Sequence, residues 1–261
     1  ANLARTDELG DLGQTFDDMA VRIAQLLRAE KELLANVAHE LRTPLARIRV
    51  AVDIASEGDA EAARASMSEI AVDLPELEAL VDDVLTTTRL AFDNSSPAHF
   101  VLRRSTTTPA AIVNVAVTRF RSRCTTRTLT VTIAADLPAM WVDDKLVRRV
   151  IDNLLDNAHK YSPDAQQPIA LSVDVVDDHV RFVVSDHGSG IPPEDLALVF
   201  NPFFRGEKSR TRSAGGVGLG LTLAKRIVGA HGGTLTVTSQ YGVGTIATLL
   251  LRRADDARVD T

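Results

Sequence analysis

Apolar residues in the first part of the chain repeat at helical spacing and predict two long amphipathic helices. The first strip has apolar residues three or four apart, at Leu9, Leu12, Phe16, Met19 and Ile23. From about Gln14 it runs without proline or glycine, apart from Pro44, into a helix ending near Ser56, where Glu57-Gly58-Asp59 predicts a turn. A second helix then carries a heptad seam at Ile70, Leu74, Leu77, Val81, Val84 and Thr88. The pattern therefore predicts an antiparallel hairpin.

One hairpin is too thin to cover both of its apolar stripes. Two hairpins packed together as a four-helix bundle would bury them, so we expect a homodimer. The alternative is a monomer whose hairpin folds onto the C-terminal half. Pro44 and Pro75 fall inside the two helices and are expected to bend them locally.

His39 is predicted to project away from the apolar side of the first helix. That stripe comprises Leu34, Val37, Ala38, Leu41, Leu45, Ile48 and Val52. His39 lies about 140° from its centre, and Thr43 shares the same outward face. A free imidazole is nucleophilic near neutral pH, and a carboxylate such as that of Glu40 can orient the ring or accept its proton. The pattern alone leaves open an ordinary solvated surface histidine.

The polar segment DNSSP at 93–97 predicts a domain boundary, beyond which the pattern becomes mixed α/β. Helices are predicted over 109–121, 144–161, 192–200 and 218–230. Strands are predicted over 129–133, 169–176, 180–185, 234–239 and 245–250.

Polar side chains on the predicted helix 144–161 suit a nucleotide. Arg149, Asn153, Asn157 and Lys160 cluster roughly opposite the apolar stripe. Two amides and a lysine suit a hydrated Mg²⁺ ion that carries phosphates. The alternative for this helix alone is an ordinary solvated face.

Two glycine-rich segments add to this pattern. The first, DHGSG at 186–190, follows a predicted strand; its glycines allow close backbone approach, and Asp186 can accept a hydrogen bond from an exocyclic amine. The second, GGVGLGL at 215–221, opens a helix whose N–H groups favour phosphate. The charged segment GEKSRTRSAGG before it is predicted to be a nucleotide lid or a mobile surface loop.

Composition narrows the classes of protein further. The chain has 261 residues and a net charge of -6, which argues against a dedicated nucleic-acid binder. A single cysteine excludes an intramolecular disulfide and fits a reducing compartment. No apolar run is long enough to cross a bilayer. Because the chain starts at Ala1 without methionine, we interpret it as a fragment whose upstream part is missing.

Several motifs together resemble those of bacterial two-component sensor histidine kinases. HELRTP, around His39, resembles their phosphoacceptor box. In chain order, DNLLDNAHKYS, DHGSG, FNPFFRG and GGVGLGL resemble the N, G1, F and G2 boxes of their ATP-binding domain. DELGDLGQTFDDM resembles the second helix of a HAMP linker.

The resemblance implies a multidomain fold: an all-α dimeric four-helix bundle, then an α/β sandwich of the Hsp90, gyrase and histidine kinase type. The implied domains are a HAMP-like linker helix (1–27), a dimerisation and phosphotransfer hairpin (28–93), a catalytic ATP-binding domain (94–255) and a tail (256–261).

The resemblance also implies roles for individual residues. His39 matches the phosphoacceptor, Glu40 the residue that accepts or orients its ring proton, and Thr43 a residue linked to dephosphorylation of the partner. The implied ATP-binding set is Asn153, Asn157, Lys160, Tyr161, Asp186, Gly188, Gly190, Arg205, Gly216, Gly218, Leu219 and Gly220. Within it, Asn157 matches the Mg²⁺ ligand and Asp186 the acceptor of the adenine amine.

The implied activity is that of an ATP-dependent histidine kinase, which autophosphorylates on His39 and passes the phosphoryl group to an aspartate of a response-regulator receiver domain. Regulator phosphatase activity is expected as well. The expected setting is the cytoplasmic part of a bacterial inner-membrane protein, attached to the membrane only through upstream segments. The alternatives are an ATPase or serine kinase with a structural His39, and a nucleotide-binding scaffold or phosphatase-only sensor.

Overall fold

The structure, a computed structural model, describes residues 8–91, 102–206 and 218–254. Contacts divide the chain into two compact units, Ala1–Leu80 and Val81–Thr261. Among the helices in the described ranges, none has the length and apolar character needed to cross a membrane.

Two long helices form the first unit, and the second of them extends beyond it. Helix α1 spans Glu8–Glu57 and helix α2 spans Ala60–Ala91, and both run through their internal prolines. The Asp59 carboxylate caps α2 by accepting from the N–H groups of Glu61 and Ala62, at 3.1 and 2.9 Å. The predicted hairpin of two helices with a tight turn is therefore present.

The hairpin covers only one side of each predicted apolar stripe. On α2 the buried or half-buried seam of the first unit is Ser66, Ile70, Asp73, Leu77 and Leu80, while on α1 it is Val37, Leu41, Pro44, Ile48 and Ala51. Other members of the predicted stripes stay exposed, including Leu34 (59%), Leu45 (51%), Val52 (50%) and Leu74 (46%), whereas Val84 and Thr88 are half-buried. One partner helix covers only part of a helix circumference, so a second apolar face remains on the hairpin.

An ion pair joins the two helices inside this seam. Asp73 is 7% exposed and lies 2.8 Å from the Arg47 guanidinium. A buried carboxylate needs such a partner, so the pair fixes the register of α1 against α2.

The second unit is built on a five-stranded sheet with the order β2-β4-β5-β7-β6. Its strands are β2 (Leu129–Ile133), β4 (Ile169–Val176), β5 (His179–Asp186), β6 (Thr234–Gln240) and β7 (Gly244–Arg252). Strand β2 runs parallel to β4, and the other neighbours are antiparallel. Two strands that the sequence analysis missed, β1 (Ser105–Thr107) and β3 (Met140–Val142), form a separate antiparallel pair.

Helices pack on the buried face of this sheet. They are α3 (Pro109–Arg123), α4 (Asp144–Tyr161) and α6 (Gly220–Ala230), whereas the predicted helix over 192–200 is shortened to α5 (Pro193–Leu196). Alternate residues of β4 and β5 are buried, as expected for strands with one covered face. The largest fully buried side chains include Phe120, Ile151, Leu155, Phe182, Ile227 and Leu249. The predicted α/β sandwich is confirmed.

The last turns of α2 are anchored to helices of this second unit. The Arg149 guanidinium on α4 lies 2.6 Å from the Asp83 carboxylate and donates to the Thr86 hydroxyl at 3.2 Å. Arg226 on α6 donates to the Thr87 carbonyl at 2.5 Å. The predicted domain boundary at residue 93 lies outside the described residues and stays a prediction.

Candidate functional site

The candidate phosphoacceptor lies on α1 in the first unit. His39 and Thr43 are both exposed and stand one helical turn apart, while Val37 and Leu41 are half-buried. The helix therefore presents the imidazole to solvent, as its place opposite the apolar stripe predicted. The side chain of Glu40 lies outside the described part of the chain.

The predicted polar cluster on α4 is split in the structure. Asn153, Asn157 and Lys160 are half-buried on this helix. The Asn153 amide donates to the Gly220 carbonyl at 3.2 Å and so connects α4 to the first turn of α6. Arg149, on the same face of α4, forms an ion pair with Asp83 at 2.6 Å, so its guanidinium is engaged by the end of α2.

The loop after β5 is held tightly against the end of α4. The Ser189 N–H donates to the Tyr161 carbonyl oxygen at 2.9 Å. A Cβ atom on Gly188 would lie 2.3 Å from that same oxygen. Only glycine permits this approach, which is to the protein's own backbone; the predicted approach of residue 188 to a ligand stays a prediction.

Asp186 stands at the start of this loop with a partly buried carboxyl group. Burial raises its pKa, whereas hydrogen bonds from the Gly188 and Thr245 N–H groups act to lower it. The Gly188 N–H donates to Asp186 Oδ1 at 2.8 Å. These contacts fix one oxygen and orient the carboxyl group as an acceptor for a ligand amine.

The sequence analysis missed the turn between β6 and β7 as part of this site. The Gly242 N–H donates to the Ser189 carbonyl at 2.8 Å, and a Cβ on Gly244 would lie 2.0 Å from the Asp186 carbonyl oxygen. Gly190 has φ +63°, and its Cβ would lie 2.1 Å from the Gln240 carbonyl oxygen. The available signal was the spacing of Gly242 and Gly244, which repeats that of Gly188 and Gly190.

Phenylalanines of the predicted F box contact the start of the last glycine segment. The Phe203 N–H donates to the Gly218 carbonyl at 3.1 Å, and a Cβ on Gly218 would lie 2.9 Å from Phe203 Cα. Leu219 is buried, and Arg205 is half-buried. Of the predicted lid, residues 206–216, only Gly206 is among the described residues, and Gly216 lies outside them.

The donor set of the second unit fits Mg²⁺ carried by phosphates. A carboxamide oxygen, as on Asn157, is a hard ligand of the type that Mg²⁺ accepts, and this ion keeps several waters or phosphate oxygens. The described residues contain no group of three or more His, Cys, Asp or Glu suited to a metal.

Two family profiles match the two units of the chain. Residues 29–91 match the His Kinase A (phospho-acceptor) domain. Residues 142–255 match the histidine kinase-, DNA gyrase B- and HSP90-like ATPase family.

Relatives agree with these matches. Sensor histidine kinase WalK of Bacillus subtilis (strain 168) is 33% identical over 239 residues, which are 88% of this chain and 38% of WalK. The signal transduction histidine-protein kinase/phosphatase MprB of Mycolicibacterium vanbaalenii is 33% identical over 248 residues, 92% of this chain and 49% of MprB. The chain thus spans half or less of the length of these curated relatives.

Solved structures give the same assignment. The structure of a mycobacterial sensor histidine kinase MprB is 30% identical in sequence, with a TM-score of 0.51. The match covers 57% of this chain and 97% of the MprB chain in that structure. Full-length ShkA in complex with AMPPNP is 25% identical, with a TM-score of 0.63, and covers 85% of this chain and 46% of its own. The chain belongs to the sensor histidine kinases of two-component systems, as its motifs predicted.

Proposed function

We propose that this chain is the kinase part of a sensor protein that autophosphorylates on His39 with ATP and passes the phosphoryl group to an aspartate of a response regulator. The observation that carries the proposal is the exposed imidazole of His39 on a helix where Val37 and Leu41, on either side of it in sequence, are half-buried. In the same chain, an oriented Asp186 carboxyl group stands beside a crowded glycine loop.

The second unit would bind the nucleotide through separate groups for base and phosphates. Asp186 would accept from the exocyclic amine of adenine, and Gly188 and Gly190 let the loop pack against the Tyr161 and Gln240 carbonyls, which keeps this acceptor in place. Lys160 and the N–H groups at the start of α6 would receive the phosphates. Asn157 would hold Mg²⁺, which neutralises charge on the phosphates.

Two side chains of the HELRTP segment would carry out the phosphoryl transfer. A ring nitrogen of His39 forms a bond to the γ-phosphorus of ATP, and the bond from that phosphorus to the ADP oxygen breaks. The other product is ADP, and the ring proton passes to the Glu40 carboxylate. Transfer to the regulator then moves the same group from nitrogen to a carboxylate oxygen.

Autophosphorylation is tested with γ-labelled ATP and Mg²⁺ on the wild type, His39→Ala and a matched histidine control, His179→Ala. We expect acid-labile, base-stable label on the wild type and on His179→Ala, and none on His39→Ala. Label that persists in His39→Ala would end the proposal. Acid-stable label would favour a serine kinase, and ATP hydrolysis without label would favour an ATPase. Tight nucleotide binding without turnover would favour a scaffold or a phosphatase-only sensor.

We also infer a homodimer, since the hairpin leaves an apolar face uncovered. Leu34, Leu45 and Val52 on α1 and Met67 and Leu74 on α2 are exposed by 46–66%. A second hairpin would bury them as a four-helix bundle. Equilibrium sedimentation is expected to give a dimer for the wild type and a monomer for Leu45→Glu; a monomeric wild type would refute this part.

The regulator would dock where Thr43 is presented. Val50 (56% exposed) and Ile54 (47%) lie seven and eleven residues after Thr43, which places them on its face of α1. The relative MprB is named a kinase/phosphatase, and this supports a regulator phosphatase activity here as well. The proposed setting is the cytoplasmic side of a bacterial inner membrane, reached through segments upstream of this chain.

A further inference from the structure

Arg127 is a buried cation in the connection between α3 and β2. Only 6% of Arg127 is exposed to solvent. Charged side chains are almost never buried to this extent without partners, because desolvation of the charge is costly. The partners of Arg127 therefore indicate what it does.

Every described hydrogen-bond partner of the Arg127 side chain lies on one short segment. Its guanidinium donates to the carbonyl oxygens of Ser162 and Asp164, and to that of Gln167 at 3.0 Å. Its Nε–H is directed at Nδ1 of His159 at 3.4 Å. The partners thus span the last turn of α4 and the loop that follows, residues 159–167.

This segment is one wall of the glycine loop in the candidate nucleotide site. Tyr161, within it, provides the carbonyl that accepts from the Ser189 N–H at 2.9 Å. The same oxygen lies 2.3 Å from where a Gly188 Cβ would be. A shift of the wall by a few tenths of an ångström would therefore move the loop that starts at Asp186.

The arrangement is suited to positioning more than to stability. The last carbonyls of a helix lack intrahelical partners, and a cation there satisfies them and interacts well with the helix dipole. Arg127 presents a rigid fork of donors, which fixes several carbonyls relative to one another. Apolar residues often replace buried charges without loss of stability, so cohesion alone is a poor reason for an arginine here. Arg127 also precedes the residues matched to the ATPase family profile, 142–255.

We propose that Arg127 is a positioning residue for nucleobase recognition, which holds the Tyr161 wall so that the Asp186 loop selects adenine over guanine. The inference rests on the proposed ATP binding. Guanine carries a carbonyl where adenine has its 6-amine, so a guanine bound in the orientation proposed for adenine would present an acceptor, not a donor, to Asp186. Discrimination of this kind depends on a polar group held in place, whereas the phosphate contacts, including that of Lys160 in the wall, serve both nucleotides and cancel in the ratio of ATP to GTP affinity.

The test compares the affinities of Mg²⁺-ATP and Mg²⁺-GTP by calorimetry in four full-length chains: wild type, Arg127→Met, Arg127→Lys and Arg123→Met. Arg123 is the matched control, because its ion pair with Asp156 at 2.8 Å also joins α3 to α4 but does not touch residues 159–167. Arg127→Met is expected to weaken ATP binding about tenfold more than GTP binding, and so to lower the ratio of ATP to GTP affinity by about tenfold. Arg127→Lys is expected to fall between, and Arg123→Met to keep the wild-type ratio.

A second readout follows the wall itself. Hydrogen exchange of the Ser189 amide is expected to be faster in Arg127→Met than in Arg123→Met, because its acceptor is no longer fixed. An unchanged ATP/GTP ratio in Arg127→Met, with or without a lower melting temperature, would overturn the proposal and leave only a structural role. If Arg127→Met does not fold, the ratio for Arg127→Lys decides in the same way. Wild-type protein that bound neither nucleotide would refute the proposed ATP binding instead, so the two failures are distinguishable.

Discussion

Replacement of Gly190 by alanine tests whether crowding of the glycine loop positions the nucleotide-binding groups. Residue 190 has φ +63°, where alanine costs about 1 to 2 kcal/mol. The added Cβ would also lie 2.1 Å from the Gln240 carbonyl oxygen and 2.9 Å from Tyr241 Cα. Both are backbone atoms that cannot rotate away, so overpacking adds about 1 to 3 kcal/mol.

The loop is expected to move in order to relieve this overlap. It would then lose the hydrogen bond from the Gly242 N–H to the Ser189 carbonyl and displace the Asp186 acceptor. Loss of a hydrogen bond to a charged group costs about 1.5 to 3 kcal/mol, which corresponds to an ATP affinity lowered by about tenfold or more. Calorimetric titration with Mg²⁺-ATP measures this change, and thermal melting reports stability separately.

Gly232→Ala is the matched control for Gly190→Ala. Gly232 has φ +70°, but a Cβ there meets nothing within 4 Å, in the turn between α6 and β6. This variant should lower the free energy of unfolding by about 1 to 2 kcal/mol and leave ATP affinity unchanged. If Gly190→Ala bound ATP as tightly as Gly232→Ala, the reasoning about the crowded loop would be refuted.

Three further predictions concern other parts of the second unit. Asn157→Ala is expected to remove the strengthening of ATP binding by Mg²⁺ in calorimetry, and a retained Mg²⁺ effect would contradict its role as ligand. Burial raises the pKa of Asp83 in spite of the ion pair with Arg149, so folding does not stabilise its charged form. Asp83→Asn should therefore change the free energy of unfolding by less than about 1 kcal/mol. Arg149→Met strands that carboxylate and should cost about 2 kcal/mol in urea denaturation; equal losses for the two variants would contradict this account. Burial lowers the pKa of His231, whose Nε2 accepts from the Asp143 N–H. As pH falls, the imidazole is therefore protonated in the unfolded chain before it is protonated in the folded one. Wild-type stability should therefore decrease relative to that of His231→Gln between about pH 7 and pH 5, and a constant difference would rule out this linkage.

Elements with strong local signals could be predicted from the sequence almost to the residue. Helix α4 has the predicted bounds 144–161, because the Asp143 side chain caps it and its apolar stripe is unbroken. Strand β2 likewise matches 129–133. Strands β1 and β3 have only three residues each, too few for a period of two to appear, and they depend on each other for pairing.

Features that depend on tertiary contacts could not be predicted in this way. Arg127 has the same sequence signature as a surface arginine, and only the approach of residues 159–167 makes it a buried cation. Arg149 shares a helix face with Asn153, but the end of α2 supplies Asp83 as its partner. The β6–β7 turn joins the candidate site through sheet pairing that brings Gly244 beside Asp186, which is far from it in sequence.

We propose that the exposed imidazole of His39 receives the γ-phosphoryl group of ATP bound through Asp186. The most direct test of this proposal is mass-spectrometric mapping of phosphorylated peptides, handled at neutral to alkaline pH, after incubation with Mg²⁺-ATP. We expect one phosphoryl group on the peptide that contains His39 in the wild type, and the loss of this phosphorylation in Asp186→Ala. Phosphorylation at another residue, or none on His39 while ATP is bound, would contradict the proposal.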